Sequence, residues 1–287
     1  MPTTTTVDRP TKPALRHEIS LEVLGVRLVV RAHGSQAYVV ADAVDRAWAW
    51  CVSGHPEDGR EALYVDVLVD AEEEIVRWAA GRGWVAATTL EVLMHNLSPS
   101  ITGRAIEHLA GKALMFHACA LADPTTGATA VLVGPSGMGK TTLSRQLGQS
   151  LGYLTDETAA VRPDGTLRPF PKPLSILGSA GYLKAQVCPG ELGLVRPPAS
   201  AHVAAVVILD RSPAAPESPC VTPVPLLSAI ATLAEQISYL KIMDQPLQRL
   251  AGLLRSLGGA QRLSYRDGAD VLPVVQKLLQ GVQHESS

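Results

Sequence analysis

Between residues 18 and 34 the chain reads EISLEVLGVRLVVRAHG, in which apolar and polar residues alternate with the period of a β-strand. Gly25 interrupts that alternation where a hairpin would turn. DAVDRAWAWCV at 42–52 has helical spacing and LYVDVLVD at 63–70 reads as a strand, with the Gly and Pro residues near 54–59 between them. Pro99 to Gly103 reads as a break, after which ITGRAIEHLAGKAL at 101–114 has the period of an amphipathic helix. MFHACALAD and GATAVLVG then predict neighbouring strands joined by the turn Asp123-Pro124-Thr125-Thr126-Gly127. Downstream come GYLTDETAAV, a turn at Pro163-Asp164-Gly165, TLRPFPKPLSIL, a strand VAAVVILDRS, and helices within 225–257 and 268–282. No internal repeat is visible. The pattern predicts an α/β protein with a Thr- and Pro-rich flexible tail at 1–14, a small α+β N-terminal module at 15–100 and a larger, strand-rich domain at 101–287.

Composition narrows the class. With 287 residues, 46% of them hydrophobic, the chain can bury a substantial core. A net charge of -2 without any basic run argues against nucleic acid or an anionic membrane as partner. No apolar stretch approaches a membrane span, and MPTTTTVDRPTKP lacks the apolar core of a signal peptide, so the expected location is the cytoplasm. Cys51, Cys119, Cys188 and Cys220 are widely spaced, which predicts reduced, structural thiols and neither a zinc site nor a disulfide framework. Trp48, Trp50, Trp78 and Trp84 all fall in the first third and read as completing a small core in preference to forming a peptide-binding surface.

Chemistry is concentrated in VLVGPSGMGKTTLSR. Gly134, Gly139, Lys140 and Thr141 match the G-x-x-x-x-G-K-[ST] loop, and the apolar run before Gly134 supplies the strand such a loop must leave. The loop Gly134, Pro135, Ser136, Gly137, Met138, Gly139 predicts a nest of inward N–H groups, since glycines tolerate the dihedral angles it needs. Leu143, Leu147 and Leu151 space out the helix that follows, whose N-terminus, with roughly +0.5 charge, faces the phosphates. Lys140 adds a mobile full charge, the Thr141 hydroxyl is placed for magnesium, and Thr142 sits in the first turn. The loop therefore predicts a bound nucleotide with Mg2+; ATP is the expected cofactor, with other phosphate donors left open.

Phosphoryl transfer also needs carboxylates, one for magnesium and one to take a proton. Asp156 and Glu157 follow the loop's helix closely, and a strand returning beside the loop strand would bring them to the phosphate end. Asp210, ending VVILD, has the form of a Walker B carboxylate and is the other candidate, with a strand-end cap as its alternative reading. His117 sits on the strand before the loop strand, where an imidazole could relay a proton or be a structural residue.

The order His117, GPSGMGKTTL, then GYLTDETAAV resembles HPr kinase/phosphorylase and its kinase-only relatives, including those that modify ribosomally made peptides such as lasso peptides. The likeness runs through PFPKPLSI and RPPASAHVAAVVILDRS to YRDGADVLPVVQKLL, roughly residues 105 to 282. It implies a P-loop kinase domain of the HPr kinase / PEP carboxykinase-like kind, in which Asp156 is the base for a serine hydroxyl and also a candidate magnesium ligand, His117 supports it, Lys140 neutralises charge, and Thr141 with Glu157 serves magnesium. It also implies a peptide or small-protein acceptor, and leaves a homo-oligomer open. The chain departs from HPr kinase/phosphorylase where PFPKPLSILG stands in place of a Glu-x-x-Gly-Leu-Gly segment, which points to the kinase-only relatives and away from the reverse reaction. Lys172 in that segment reads equally as a phosphate or substrate contact and as a surface lysine. The expected activity is transfer to a serine or threonine hydroxyl; a small-metabolite kinase and a nucleotide-gated regulatory ATPase are the alternatives.

Overall fold

The computed structural model describes residues 12–53, 61–177 and 183–280. Most of the tail expected at 1–14 and the separator near 54–59 lie outside the described residues. The N-terminal hairpin forms as its alternation predicts: β1 (Leu15–Val23) pairs antiparallel with β2 (Val26–His33). Leu24 and Gly25 both take positive φ, 54° and 82°, the left-handed pair that lets a two-residue turn follow the strand twist. The helix expected at 42–52 is shifted: α1 spans Ala37–Ala47, because Ala37, Val40, Ala41, Val44 and Ala47 form its buried stripe. β3 (Ala62–Val69) then runs parallel to β2, α2 (Glu73–Ala80) crosses over, and β4 (Val85–Ala87) completes a sheet of order β1-β2-β3-β4.

The break expected at Pro99–Gly103 is instead the middle of a single helix, α3, running from Leu90 to His108. Proline deletes one helical hydrogen bond and crowds the preceding turn, at a cost of ~3 kcal/mol or more in an ordinary helix interior. Leu93, Leu97, Ile101 and Ala105 lie four residues apart and are fully buried on one face. Each large aliphatic side chain buried this way stabilises by ~1.5–3 kcal/mol, so the stripe outweighs the proline. The core beneath the small sheet also takes in Met115, Ala160 and Phe170 from later in the chain, which joins the two sheets through one apolar cluster.

The large sheet has the order β13-β15-β12-β6-β5-β8-β9, built from β5 (Leu114–Ala122), β6 (Ala128–Val133), β8 (Thr158–Val161), β9 (Thr166–Leu167), β12 (Ala201–Arg211), β13 (Cys220–Val224) and β15 (Ala260–Tyr265). β5 and β6 form the expected hairpin, with Asp123 Oδ1 accepting from the Thr125 and Thr126 amides across its turn. The loop after β6 leads into α4 (Lys140–Leu147). The strand after α4, β7 (Gly152–Thr155), does not return beside β6 as expected but pairs antiparallel with β5. The reason is occupancy: β6 already has β5 on one edge and parallel β12 on the other. β5 thus pairs with β7 through Ala120–Ala122 and with β8 through Leu114–His117, so residues 156 and 157 turn opposite its middle.

A separate hairpin of β10 (Leu174–Leu177) and β11 (Lys184–Val187) packs its second strand against α3. The helical region expected at 225–257 is divided into α5 (Leu226–Ala234) and α6 (Pro246–Ser256) by β14 (Ile237–Ser238), which pairs with β5. The last helix, α7, covers Leu272–Gln280. Successive residues of β6 point to opposite faces: Leu132 packs with Leu143, Leu147 and Val275 of α4 and α7, whereas Val131 and Val133 pack with Leu233, Leu250 and Leu254 of α5 and α6. The result is a mixed α/β protein with a large sheet covered on both faces. No helix among the described residues is long and apolar enough to cross a membrane.

Because the buried stripe holds α3 together across Pro99, Leu97→Ala should destabilise the protein by ~2–5 kcal/mol in a denaturant titration. A loss below ~1 kcal/mol would mean that the stripe does not carry the helix.

Candidate nucleotide and phosphoryl-transfer site

The loop between β6 and α4 is shaped by glycine. Gly137 (φ 87°) and Gly139 (φ 81°) occupy the left-handed region, and Gly139 stands at the N-cap of α4 without any capping side chain. Its far side is anchored by Tyr265 at the end of β15, whose hydroxyl donates to the Met138 carbonyl at 3.3 Å. Lys140, expected as a mobile charge, is buried and folded back: its Nζ donates to the carbonyls of Gly134 at 2.6 Å and Pro135 at 3.0 Å. Burial lowers its pKa from the ordinary lysine value, with Cys119, Asp156 and Glu157 pulling the other way. Pro135, Ser136, Gly137 and Thr142 are exposed.

The carboxylates are presented by a tight turn in which Thr155 Oγ1 accepts from the amides of Glu157 (3.2 Å) and Thr158 (3.3 Å). Asp156 is buried and its two oxygens face different ways. Oδ2 accepts from the Thr141 hydroxyl at 2.9 Å, toward α4, while Oδ1 meets Tyr153 Oη at 3.2 Å and Lys172 Nζ at 3.3 Å. Glu157 is more open, and its Oε2 lies 3.2 Å from Lys172 Nζ and 3.5 Å from Thr102 Oγ1 on α3. Lys172 is therefore not a surface lysine: it is 3% exposed, and its third contact is the Pro173 carbonyl at 3.4 Å. Burial alone would lower its pKa, but the Asp156 and Glu157 charges outweigh that and raise it, so Lys172 is a permanent cation. Burial pushes the Tyr153 phenol well up, reinforced by Asp156.

His117 lies on β5 opposite Thr158, half-buried, with its backbone amide on the Gln236 carbonyl. Burial, aided by the Lys140 charge, holds its imidazole below 6.5, against the opposing pull of Glu157 and Asp156. It is neutral near pH 7. Asp210 is elsewhere: its Oδ2 accepts from Ser264 at 3.1 Å and lies 3.9 Å from Arg262, which makes it a strand-end contact between β12 and β15.

His117, Lys140, Thr141, Thr142, Asp156 and Glu157 line one cavity of about 650 Å³ together with Ser136, Gly137, Gly139 and Lys172. Its outer wall comes from His95, Ser98 and Pro99 of α3, Ser175 and Leu177 of β10, and Lys184 of β11. A second cavity of about 560 Å³, lined among others by Arg162, Asp164 and Arg249, contains none of the expected site residues. Of the tryptophans, Trp48 is in the small core, whereas Trp50 packs with Tyr153 and Leu174 behind the site, and Trp84 stacks on His33 at 4.2 Å. All four cysteines are free. Nothing local in the sequence marks Tyr153, Thr102 or Tyr265 as part of this region, and Lys172 is open to two readings there. Their partners are 3 to 127 positions away in the chain, and only the prolines flanking Lys172 hint at a fixed backbone.

No protein-family model matches the chain, and no curated protein matches it. Among solved structures it is similar to the HPr(Ser) kinase/phosphatase from Coxiella burnetii, with 14% identity and a TM-score of 0.32 over 58% of this chain and 94% of that one.

The depressed pKa of His117 has a consequence for stability. The native state takes up this proton less readily than the unfolded chain, so the stabilisation is complete above ~6.5 and is lost as pH falls through the lower native value. Thermal melts from pH 7 down to about 5 should therefore fall less steeply for His117→Gln than for the parent protein. Parallel curves would show that His117 is not held neutral by the fold.

Proposed function

We propose that this protein is an ATP- and magnesium-dependent kinase that transfers the γ-phosphate to a serine or threonine hydroxyl of a peptide or small protein. The observation that carries this reading is the 2.9 Å contact from Thr141, on the first turn of α4, to Asp156 Oδ2, in a cavity that also holds Lys140, Glu157 and His117. The loop amides and the N-terminus of α4 suit a phosphate chain, toward which Lys140 would turn by releasing the Gly134 and Pro135 carbonyls. The Thr141 hydroxyl and Asp156 Oδ2 are hard oxygen donors of the kind that hold magnesium together with phosphates. When bound, that ion would neutralise charge on the β- and γ-phosphates.

The acceptor hydroxyl attacks the γ-phosphorus, the bond to the β–γ bridging oxygen breaks and ADP departs with that electron pair. The acceptor's proton goes to a carboxylate. Expectation from sequence placed this base at Asp156, but both oxygens of Asp156 already receive hydrogen bonds, from Thr141 on one side and Tyr153 with Lys172 on the other. Glu157 is the more open carboxylate of the same cavity, so we place the base there and Asp156 on the magnesium side. Neutral His117 keeps that end of the cavity free of a further positive charge. A lasso-type precursor peptide is the acceptor class toward which the sequence resemblance points, and a flexible segment is the form of acceptor able to reach between α3 and β10.

Incubation with γ-labelled ATP and a set of serine peptides tests the reading. Label on peptide is expected; release as free phosphate alone would favour a regulatory ATPase, and label on a small metabolite would favour the other kinase reading. Lys140→Ala should abolish productive nucleotide binding in a folded protein. Glu157→Gln should keep Mg·ATP affinity and lose transfer by ~10²–10⁴-fold, whereas Asp156→Asn should weaken magnesium-dependent nucleotide binding itself. The reverse pair of phenotypes, measured by calorimetric titration and labelled transfer, would return the base to Asp156.

A further inference from the structure

Lys172 raises a question that the proposed reaction leaves open. A fully buried lysine spends each of its three N–H groups on an oxygen here: Asp156 Oδ1, Glu157 Oε2 and the Pro173 carbonyl. The distances to the two carboxylates are nearly equal, 3.3 and 3.2 Å, and longer than those of a dedicated two-group ion pair. The ammonium therefore occupies the point between both carboxylates where a bridging cation would have to sit. Its backbone cannot move aside easily. Pro171 and Pro173 flank it, its amide donates to the Phe170 carbonyl at 2.7 Å, and its own carbonyl meets the Tyr153 hydroxyl at 3.2 Å. That same hydroxyl touches Asp156 Oδ1, so one phenol ties the lysine's main chain to the carboxylate that its side chain neutralises.

We infer that Lys172 is a positioning residue that acts as a built-in cation, taking the place of a second divalent ion and making this a one-metal site. The inference rests on the Mg·ATP reading above. It follows from the division of Asp156: Oδ2 faces Thr141 and the loop, where the nucleotide-bound ion belongs, while Oδ1 and Glu157 Oε2 are already bridged by a fixed positive charge. The bridge also holds the side chain of Glu157 in one orientation in the cavity, with Thr102 at the edge of the same oxygen. A lysine that only filled space would need neither carboxylate. One that bound phosphate directly would need a free N–H, and none is left.

Manganese binding followed by electron paramagnetic resonance, on full-length protein saturated with a non-hydrolysable ATP analogue, counts the ions without requiring turnover. The parent protein is expected to hold one ion per bound nucleotide. Lys172→Ala should hold two, with transfer slowed ~10²–10³-fold at ordinary magnesium and partly restored by excess manganese. Lys172→Arg should keep the count at one. Two ions in the parent protein would overturn the inference and leave the kinase reading intact, and this outcome needs no variant to fold. One ion in a folded Lys172→Ala protein would reduce Lys172 to a structural role and overturn the inference as well. No nucleotide-dependent ion at all would overturn the Mg·ATP reading together with the inference.

Discussion

Two carboxylates adjacent in sequence, the first of them buried, repel one another, and a cation held between them offsets that repulsion. Desolvation costs several kcal/mol per ion, and mutual repulsion adds to it. Lys172 meets this constraint from 15 residues downstream, and much of the surrounding structure can be understood as holding it in place. The prolines on either side, the Tyr153 phenol and the apolar packing of Tyr153 with Leu174 and Leu194 all restrain the same few atoms. Removing one member of such a cluster leaves an uncompensated charge in the interior, a far larger penalty than the loss of a surface ion pair.

The sheet delivers the other half of the site. β6 aims the Gly134–Gly139 loop at one end of the large sheet, and β5, its hairpin partner, serves as the template on which β7 and β8 meet. That arrangement brings Asp156 onto Thr141, and it places His117 beside Glu157, whose carbonyl accepts from the Ala118 amide. α3 contributes a third wall. Its buried stripe faces the small sheet while His95, Ser98 and Pro99 line the cavity, so the same helix packs one core and walls the cavity.

What was legible in the sequence was local. The hairpins at 15–33 and 114–133, the glycine loop and the helix after it are specified by alternation, turn residues and spacing within a few positions. What depended on competition between distant elements was not legible. Pro99 reads as a helix breaker until the burial of Leu93, Leu97 and Ile101 is known. β7 reads as a neighbour of β6 until β12 is seen to occupy that edge. Asp156, Glu157, His117, Lys140 and Thr141 were named from sequence and do share one cavity, but nothing local indicates that Lys172 bridges the two acids or that Lys140 rests on its own loop.

A crystal structure with Mg2+ and a non-hydrolysable ATP analogue addresses the account most directly. It should place the phosphates against the amides of residues 134–139, the ion on the Thr141 hydroxyl at the Asp156 Oδ2 side, and Lys172 still between Asp156 and Glu157. A nucleotide bound instead in the cavity beside Arg162 and Arg249, or an ion displacing Lys172 from the two carboxylates, would contradict it.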